Sequence, residues 1–163
     1  MAALPVTAYV ALGANLGDPV TTVRSAIAAL RELAGARLVT ASSLYRTAPV
    51  GLANQPDFIN AVAALEVVGS ADDFLAALFA IEAGFGRVRS LKNAPRTLDL
   101  DLLLFGAERR AAPGLTLPHP RLAERAFVLA PLAEIAPALI IDGHGHVADL
   151  LARVAGQRIE RLP

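Results

Sequence analysis

Cysteine is absent from the chain, and no uninterrupted apolar run approaches the ~20 residues that a membrane-spanning helix needs. The first absence excludes a disulfide framework and any thiolate metal site. The second, in a sequence that is 55% hydrophobic but rich in alanine, points away from a membrane and towards a buried core. Net charge is missing as well: 15 Lys and Arg against 15 Asp and Glu sum to zero, which leaves no electrostatic footprint for duplex nucleic acid. Residues 1–10 carry neither the basic segment nor the apolar stretch of a secretory signal, so the cytoplasm is the expected compartment. No internal repeat or low-complexity linker divides the 163 residues. That length is about one domain's worth of chain, and the expectation is a single domain over 1–163.

What is present is patterned. Ala8 to Ala14 reads as a buried strand ending in the turn Gly13-Ala14-Asn15-Leu16-Gly17. Asp18 then suits an N-cap and Pro19 the first helical position. Val20, Val23, Ile27, Leu30 and Leu33 recur at helical spacing, with Gly35 placed to cap the helix. Arg37 to Tyr45 alternates as a second strand, and a loop from Arg46 to Asp57 leads to a third, Phe58 to Val67. Ser70 and Asp73 form a capping-box pattern that opens a helix running to Gly84. After a basic loop comes the strand around Asp99. This order, strand-helix-strand-strand-helix-strand, predicts an α+β, ferredoxin-like αβα sandwich with a mainly antiparallel sheet and helices on its faces. Beyond Gly106 we expect one or two short helices over Pro120 to Ala136, a short strand at Leu139 to Ile141 and a last helix over Ala148 to Val154.

The chemistry concentrates in Pro95-Arg96-Thr97-Leu98-Asp99-Leu100-Asp101. On a strand, residues i and i+2 share a face roughly 6–7 Å apart, so the two carboxylates can grip divalent cations together. Ionised carboxylates on an apolar strand need a cation close by. Arg87, Arg89, Lys92 and Arg96 precede them with no acidic residue between Arg87 and Arg96. Mg²⁺ is commonly held by one or two carboxylates plus phosphate oxygens, and arginine binds phosphate bidentately. A metal-bound polyphosphate satisfies both halves; structural salt bridges are the plainer alternative.

Other candidates divide between function and structure. Asn60 is polar on a mostly apolar strand and shares a face with Phe58: either an edge-facing amide, or one that recognises a heterocycle while the ring stacks on it. His119 lies between Pro118 and Pro120, which restrict the backbone, and is a candidate phosphate donor as well as an ordinary surface histidine. The 13–17 turn lacks the lysine and hydroxyl of a phosphate loop and reads as a tight strand-to-helix connection. His144 and His146, each beside glycine and without a third ligand nearby, read as a solvent turn.

Blocks along almost the whole chain resemble the 6-hydroxymethyl-7,8-dihydropterin pyrophosphokinase family of folate biosynthesis: Tyr9 to Gly17, Ser43 to Thr47, Gln55 to Ala61, Ile81-Glu82, Gly86 to Arg89, Pro95 to Asp101 and Leu117 to Pro120. The resemblance implies a ferredoxin-like αβα core and transfer of pyrophosphate from ATP to the pterin hydroxymethyl group, with two Mg²⁺ ions and release of AMP. It implies that Asp99 and Asp101 are the metal ligands, with Asp99 also beside the substrate, and that Arg87 and Arg96 position and neutralise the transferring phosphates. Glu82, Arg89, Lys92, Thr116, His119 and Arg125 go with ATP, Leu75 and Leu102 with its adenosine. Thr47, Val50, Phe58, Asn60 and Phe127 go with the pterin, the two phenyl rings sandwiching it. Asn93-Ala94 stand where many members carry tryptophan, Phe79 where some have a polar residue and Gly114 where some have arginine, departures that bear on ATP affinity. Partners are then small molecules alone, for a monomer that meets neither nucleic acid nor membrane.

Two other functions compete. A nucleotidyltransferase would also use an Asp-x-Asp strand, attacking the α-phosphorus and releasing pyrophosphate. A non-catalytic ferredoxin-like binding module would need no Mg²⁺. The loops Arg46 to Asp57 and Phe85 to Pro95 are expected to act as lids.

Overall fold

The computed structural model describes residues 4–49, 55–86 and 97–163. Strand β1 (Val6–Ala14) buries alternate residues, with Ala8, Val10, Leu12 and Ala14 at most 1% exposed. The chain turns and enters α1 (Pro19–Arg31), whose N-cap Asp18 accepts from Thr21 N–H at 3.2 Å and whose Val23, Ala26 and Leu30 form the buried stripe. The helix ends a turn before Gly35: Glu32 takes the C-cap position, and the +74° φ of Gly35 serves the turn into β2 (Ala36–Ala41). The second predicted strand is interrupted at Ser42, whose side chain accepts from Val62 N–H and donates to Ser43 O. It resumes as β3 (Tyr45–Thr47), so that Arg46 and Thr47 are strand and not loop. Strand β4 (Phe58–Val67) has the predicted bounds. Helix α2 (Ala71–Gly84) opens on the Ser70 cap, which accepts from Asp73 N–H.

Strand β5 (Asp99–Phe105) is followed by a hairpin that sequence reading missed, β6 (Arg110–Ala112) and β7 (Leu115–Leu117), turned at Pro113-Gly114 with Gly114 at φ +85°. A 3₁₀ turn (Leu122–Glu124) leads into α3 (Ala126–Ile135). Strands β8 (Ile140–Ile141) and β9 (Gly145–His146) form a small ladder, α4 (Val147–Arg153) follows, and β10 (Ile159–Arg161) closes the chain.

The main sheet runs β10-β3-β4-β1-β5, with β2 also on β4, and every pairing is antiparallel. Its central order β5-β1-β4-β2 is that of the ferredoxin-like fold. Helices α1 and α2 pack on one face over a core that includes Leu12, Leu65 and Leu100; α3 and α4 cover the other around Val62, Leu103 and Leu129. Each fully buried leucine contributes roughly 1.5–3 kcal/mol relative to exposure, so both layers hold the sheet.

Strand β5 switches sides once. Val10 opposes Leu102 and Tyr9 opposes Leu104, leaving Leu103 as the extra residue of a bulge. Before the bulge, Leu100 and Leu102 face α1 and α2, and Asp99 and Asp101 face the α3 side; beyond it Leu104 joins the α3 core and Phe105 the other. Hydrophobic anchoring on both faces thereby sets which way the two carboxylates point.

Candidate active site

Asp99 pairs with Gly13, which pairs on its other side with Asn60. Three adjacent strands thus place a carboxylate, a bare backbone and an amide in one row. The bare position is needed: a Cβ on Gly13 would come within 3.1 Å of Asn60 Oδ1. Asn60, 6% exposed, donates from Nδ2 to Thr47 Oγ1 at 2.9 Å, which fixes its amide. Phe58, half-buried, sits two residues earlier on the same face. Helix α3 lies over β4 on this side and carries Phe127 on its first turn, half-buried against the α3-side core. The pterin candidates Thr47, Phe58, Asn60 and Phe127 are therefore gathered on one side of the sheet, and Asp99 borders them.

Asp101 lies beyond, opposite Ala11. It lines a cleft of about 230 Å³ at the free edge of β5, between Leu75 and Phe79 of α2 and the wall formed by Thr116 of β7 and His119. Leu100 and Leu102 form its apolar floor. Leu75, Leu102, Thr116 and His119 thus come together as the resemblance implies. Glu82 occupies a position of another kind. It continues the buried stripe Ala71, Phe74, Leu78 of α2, is 1% exposed, and its Oε2 accepts from Leu100 N–H at 2.7 Å. That bond grips the strand between the two aspartates.

Histidine 119 is held at three points: its N–H donates to Leu103 O, its carbonyl accepts from Leu122 N–H, and its Nδ1 accepts from Arg121 N–H at 3.2 Å. A neutral ring so held carries its proton on Nε2. Burial pushes its pKa down, the charge of Arg125 adds to this, and Asp99 opposes both. Arg125 in turn is lowered by burial, against the carboxylates of Asp101 and Asp99; its guanidinium lies 5.4 Å from the centre of the Phe127 ring. Asp99, Asp101, His119 and Arg125 share one electrostatic neighbourhood. Among the described residues no group of three or more His, Cys, Asp or Glu could hold a metal. Two carboxylate ligands on one strand face fit an ion that keeps water and takes phosphate oxygens, the habit of Mg²⁺, and do not fit a closed protein cage.

Val50, Arg87, Arg89, Lys92 and Arg96 lie outside the described residues, as do residues 50–54 of the first expected lid and most of the second. Sequence reading gave no role to Asn15. It is 1% exposed, and its Nδ2 donates to Gln55 Oε1 at 3.0 Å and Pro56 O at 3.3 Å, so the 13–17 turn ties down the segment that enters β4. A buried asparagine between two glycines is the signal that marks it. His144 and His146 are exposed around the β8–β9 turn.

A family model described as 7,8-dihydro-6-hydroxymethylpterin-pyrophosphokinase (HPPK) matches residues 9–137. The chain belongs to this family. It is 48% identical over 155 residues to 2-amino-4-hydroxy-6-hydroxymethyldihydropteridine pyrophosphokinase of Pseudomonas aeruginosa, covering 95% of this chain and 96% of that one. The Haemophilus influenzae protein of the same name is 41% identical over 157 residues, 96% and 98% of the two chains. Among solved structures, wild-type HPPK-DHPS of Plasmodium falciparum superposes with a TM-score of 0.73 at 13% identity, over 93% of this chain and 41% of that one. At that identity the likeness speaks for the fold, and the chain spans less than half of that longer protein. No described helix is long and apolar enough to cross a membrane.

Proposed function

We propose that the chain transfers a pyrophosphoryl unit from ATP to the hydroxymethyl group of 6-hydroxymethyl-7,8-dihydropterin, releasing AMP, in folate biosynthesis. The observation that carries this reading is the row Asn60–Gly13–Asp99, which sets an amide able to read a heterocycle edge beside Asp99, two residues from the Asp101 that lines the cleft. Two Mg²⁺ ions, held by Asp99 and Asp101 with phosphate oxygens and water, would neutralise the transferring phosphates and align attack at the β-phosphorus. The residues do the positioning. Asn60 and Thr47 hold the pterin edge, Phe58 and Phe127 enclose its rings, and Val50 completes the pocket. Leu75 and Leu102 receive the adenosine. Thr116, Arg125 and the Nε2–H of His119 face the phosphates, and Glu82 sets the strand that carries the aspartates. Arg87, Arg89, Lys92 and Arg96 supply the positive charge that a phosphoryl transfer consisting mostly of placement and electrostatics requires. The enzyme works as a monomer in the cytoplasm, on small molecules alone.

Incubation with ATP, Mg²⁺ and the hydroxymethyl-dihydropterin, followed by identification of the nucleotide products, tests this. AMP without free pyrophosphate is expected. Release of pyrophosphate would indicate nucleotidyl transfer, and binding without turnover a binding module.

A further inference from the structure

An α-helix begins with backbone N–H groups that have no partner inside the helix, and the favoured N-cap residues satisfy one with a side-chain oxygen. Helix α3 breaks this rule. Its N-cap is Arg125, in extended conformation (φ −124°, ψ 113°) and with no side-chain cap bond; a guanidinium has no acceptor to offer. The N–H of Ala126, the first helical residue, finds its acceptor 31 residues downstream. Gln157 Oε1 accepts from Ala126 N–H at 2.9 Å, and the same amide donates from Nε2 to Glu124 O at 2.8 Å. One side-chain amide therefore bonds the backbone on both sides of Arg125, as a strand partner would.

We propose that Gln157 is a positioning residue for the nucleotide site, a cap supplied from outside the helix. It bonds the peptide that precedes Arg125 and the one that follows it, and the guanidinium between them shares the electrostatic neighbourhood of Asp99, Asp101 and His119. By holding the peptides on either side, it limits the directions from which that guanidinium can approach. The inference rests on the reading of Arg125 as a nucleotide-site residue.

Gln157 is exposed, and the side chains that bury α3, among them Val128 and Leu129, make no hydrogen bond to it. Gln157→Leu should therefore fold. Steady-state kinetics and thermal melts of the full chain would be compared for wild type, Gln157→Leu, Arg125→Ala and the double variant. Loss of the two bonds should raise KM for ATP about five- to thirtyfold, the range of one to two hydrogen bonds, with kcat much less affected. Arg125→Ala should raise it at least as much, and the double variant should be no worse than Arg125→Ala alone, while the effects on Tm add. A purely structural tie would lower Tm in Gln157→Leu and leave KM at the wild-type value, which would overturn the proposal; so would KM effects that multiply in the double variant. If Arg125→Ala leaves KM for ATP unchanged, the placement of Arg125 fails first, and the role of Gln157 with it.

Discussion

At the residue scale, charge and bareness do the work. Asp99 and Asp101 are two acceptors on one strand face, and each is required if phosphate charge is to be neutralised there. Asp99→Asn and Asp101→Asn should each lower kcat by about a hundredfold or more, the scale seen when one preorganised electrostatic contact is lost; rapid-quench kinetics would measure it, and wild-type turnover in either variant would remove the pair from the chemistry. Gly13 matters for what it lacks. Its backbone φ is not in the left-handed region, so the strand's backbone itself accepts alanine. The new Cβ, 3.1 Å from Asn60 Oδ1, would crowd the amide and the floor beside Asp99. Gly13→Ala should weaken pterin binding roughly tenfold, equivalent to about 1.4 kcal/mol, with ATP binding unchanged. Calorimetry showing pterin affinity intact would mean that the bare spot is not part of the pocket.

At the scale of elements, two polar ties set how the walls of the site meet. Glu82 ties α2 to β5. Glu82→Ala would leave Leu100 N–H buried without this partner, at a cost of about 1–3 kcal/mol, and would loosen the strand between the aspartates; a lowered denaturation midpoint together with a lowered kcat is the expected pair of results. Glu134 ties α3 to β3 and β10. It accepts from Tyr45 OH at 2.6 Å, Ser43 N–H at 2.9 Å and Ser43 Oγ at 3.1 Å, with Arg161 at 3.4 Å. Burial pushes its carboxyl up, but these donors outweigh it and the net shift is downward. Burial first, then the bond to Glu134, push Tyr45 up to about 12. Because the folded value lies above the ordinary 10.0, the stability that this phenol contributes is present below pH 10 and is lost as pH rises from there towards 12. In a Tyr9→Phe background, which removes the other tyrosine, tyrosinate absorbance should appear only near that upper value, and Glu134→Gln should bring it down. A midpoint at 10 in the folded protein would contradict the tie. Neither tie was legible in the sequence, because the partners lie 18 and 89 residues apart and no local spacing relates them.

At the scale of the whole molecule, the strand and helix order was legible because a mostly apolar strand of ten residues, as in Phe58–Val67, and capped amphipathic runs are local signals. Where prediction slipped, a long-range bond had taken over. Ser42 interrupts its strand by bonding to Val62, and Ile159–Arg161 is a strand only because β3 offers it an edge. The β6–β7 hairpin was missed although Pro113-Gly114 announces its turn; its strands are too short to show a period. Of the site, the aspartates and the Phe58–Asn60 pair could be read from spacing. Arg125, Thr116 and Phe127 came only through family resemblance, since chain reversal in the C-terminal third brings them to the sheet. The central claim is that both terminal phosphates of ATP move as one unit. ATP carrying ³²P at the β position, incubated with Mg²⁺, the hydroxymethyl-dihydropterin and the enzyme, tests it most directly. The label should appear in the pterin product while AMP is released unlabelled; label remaining in a nucleotide diphosphate, or released as free pyrophosphate, would contradict it.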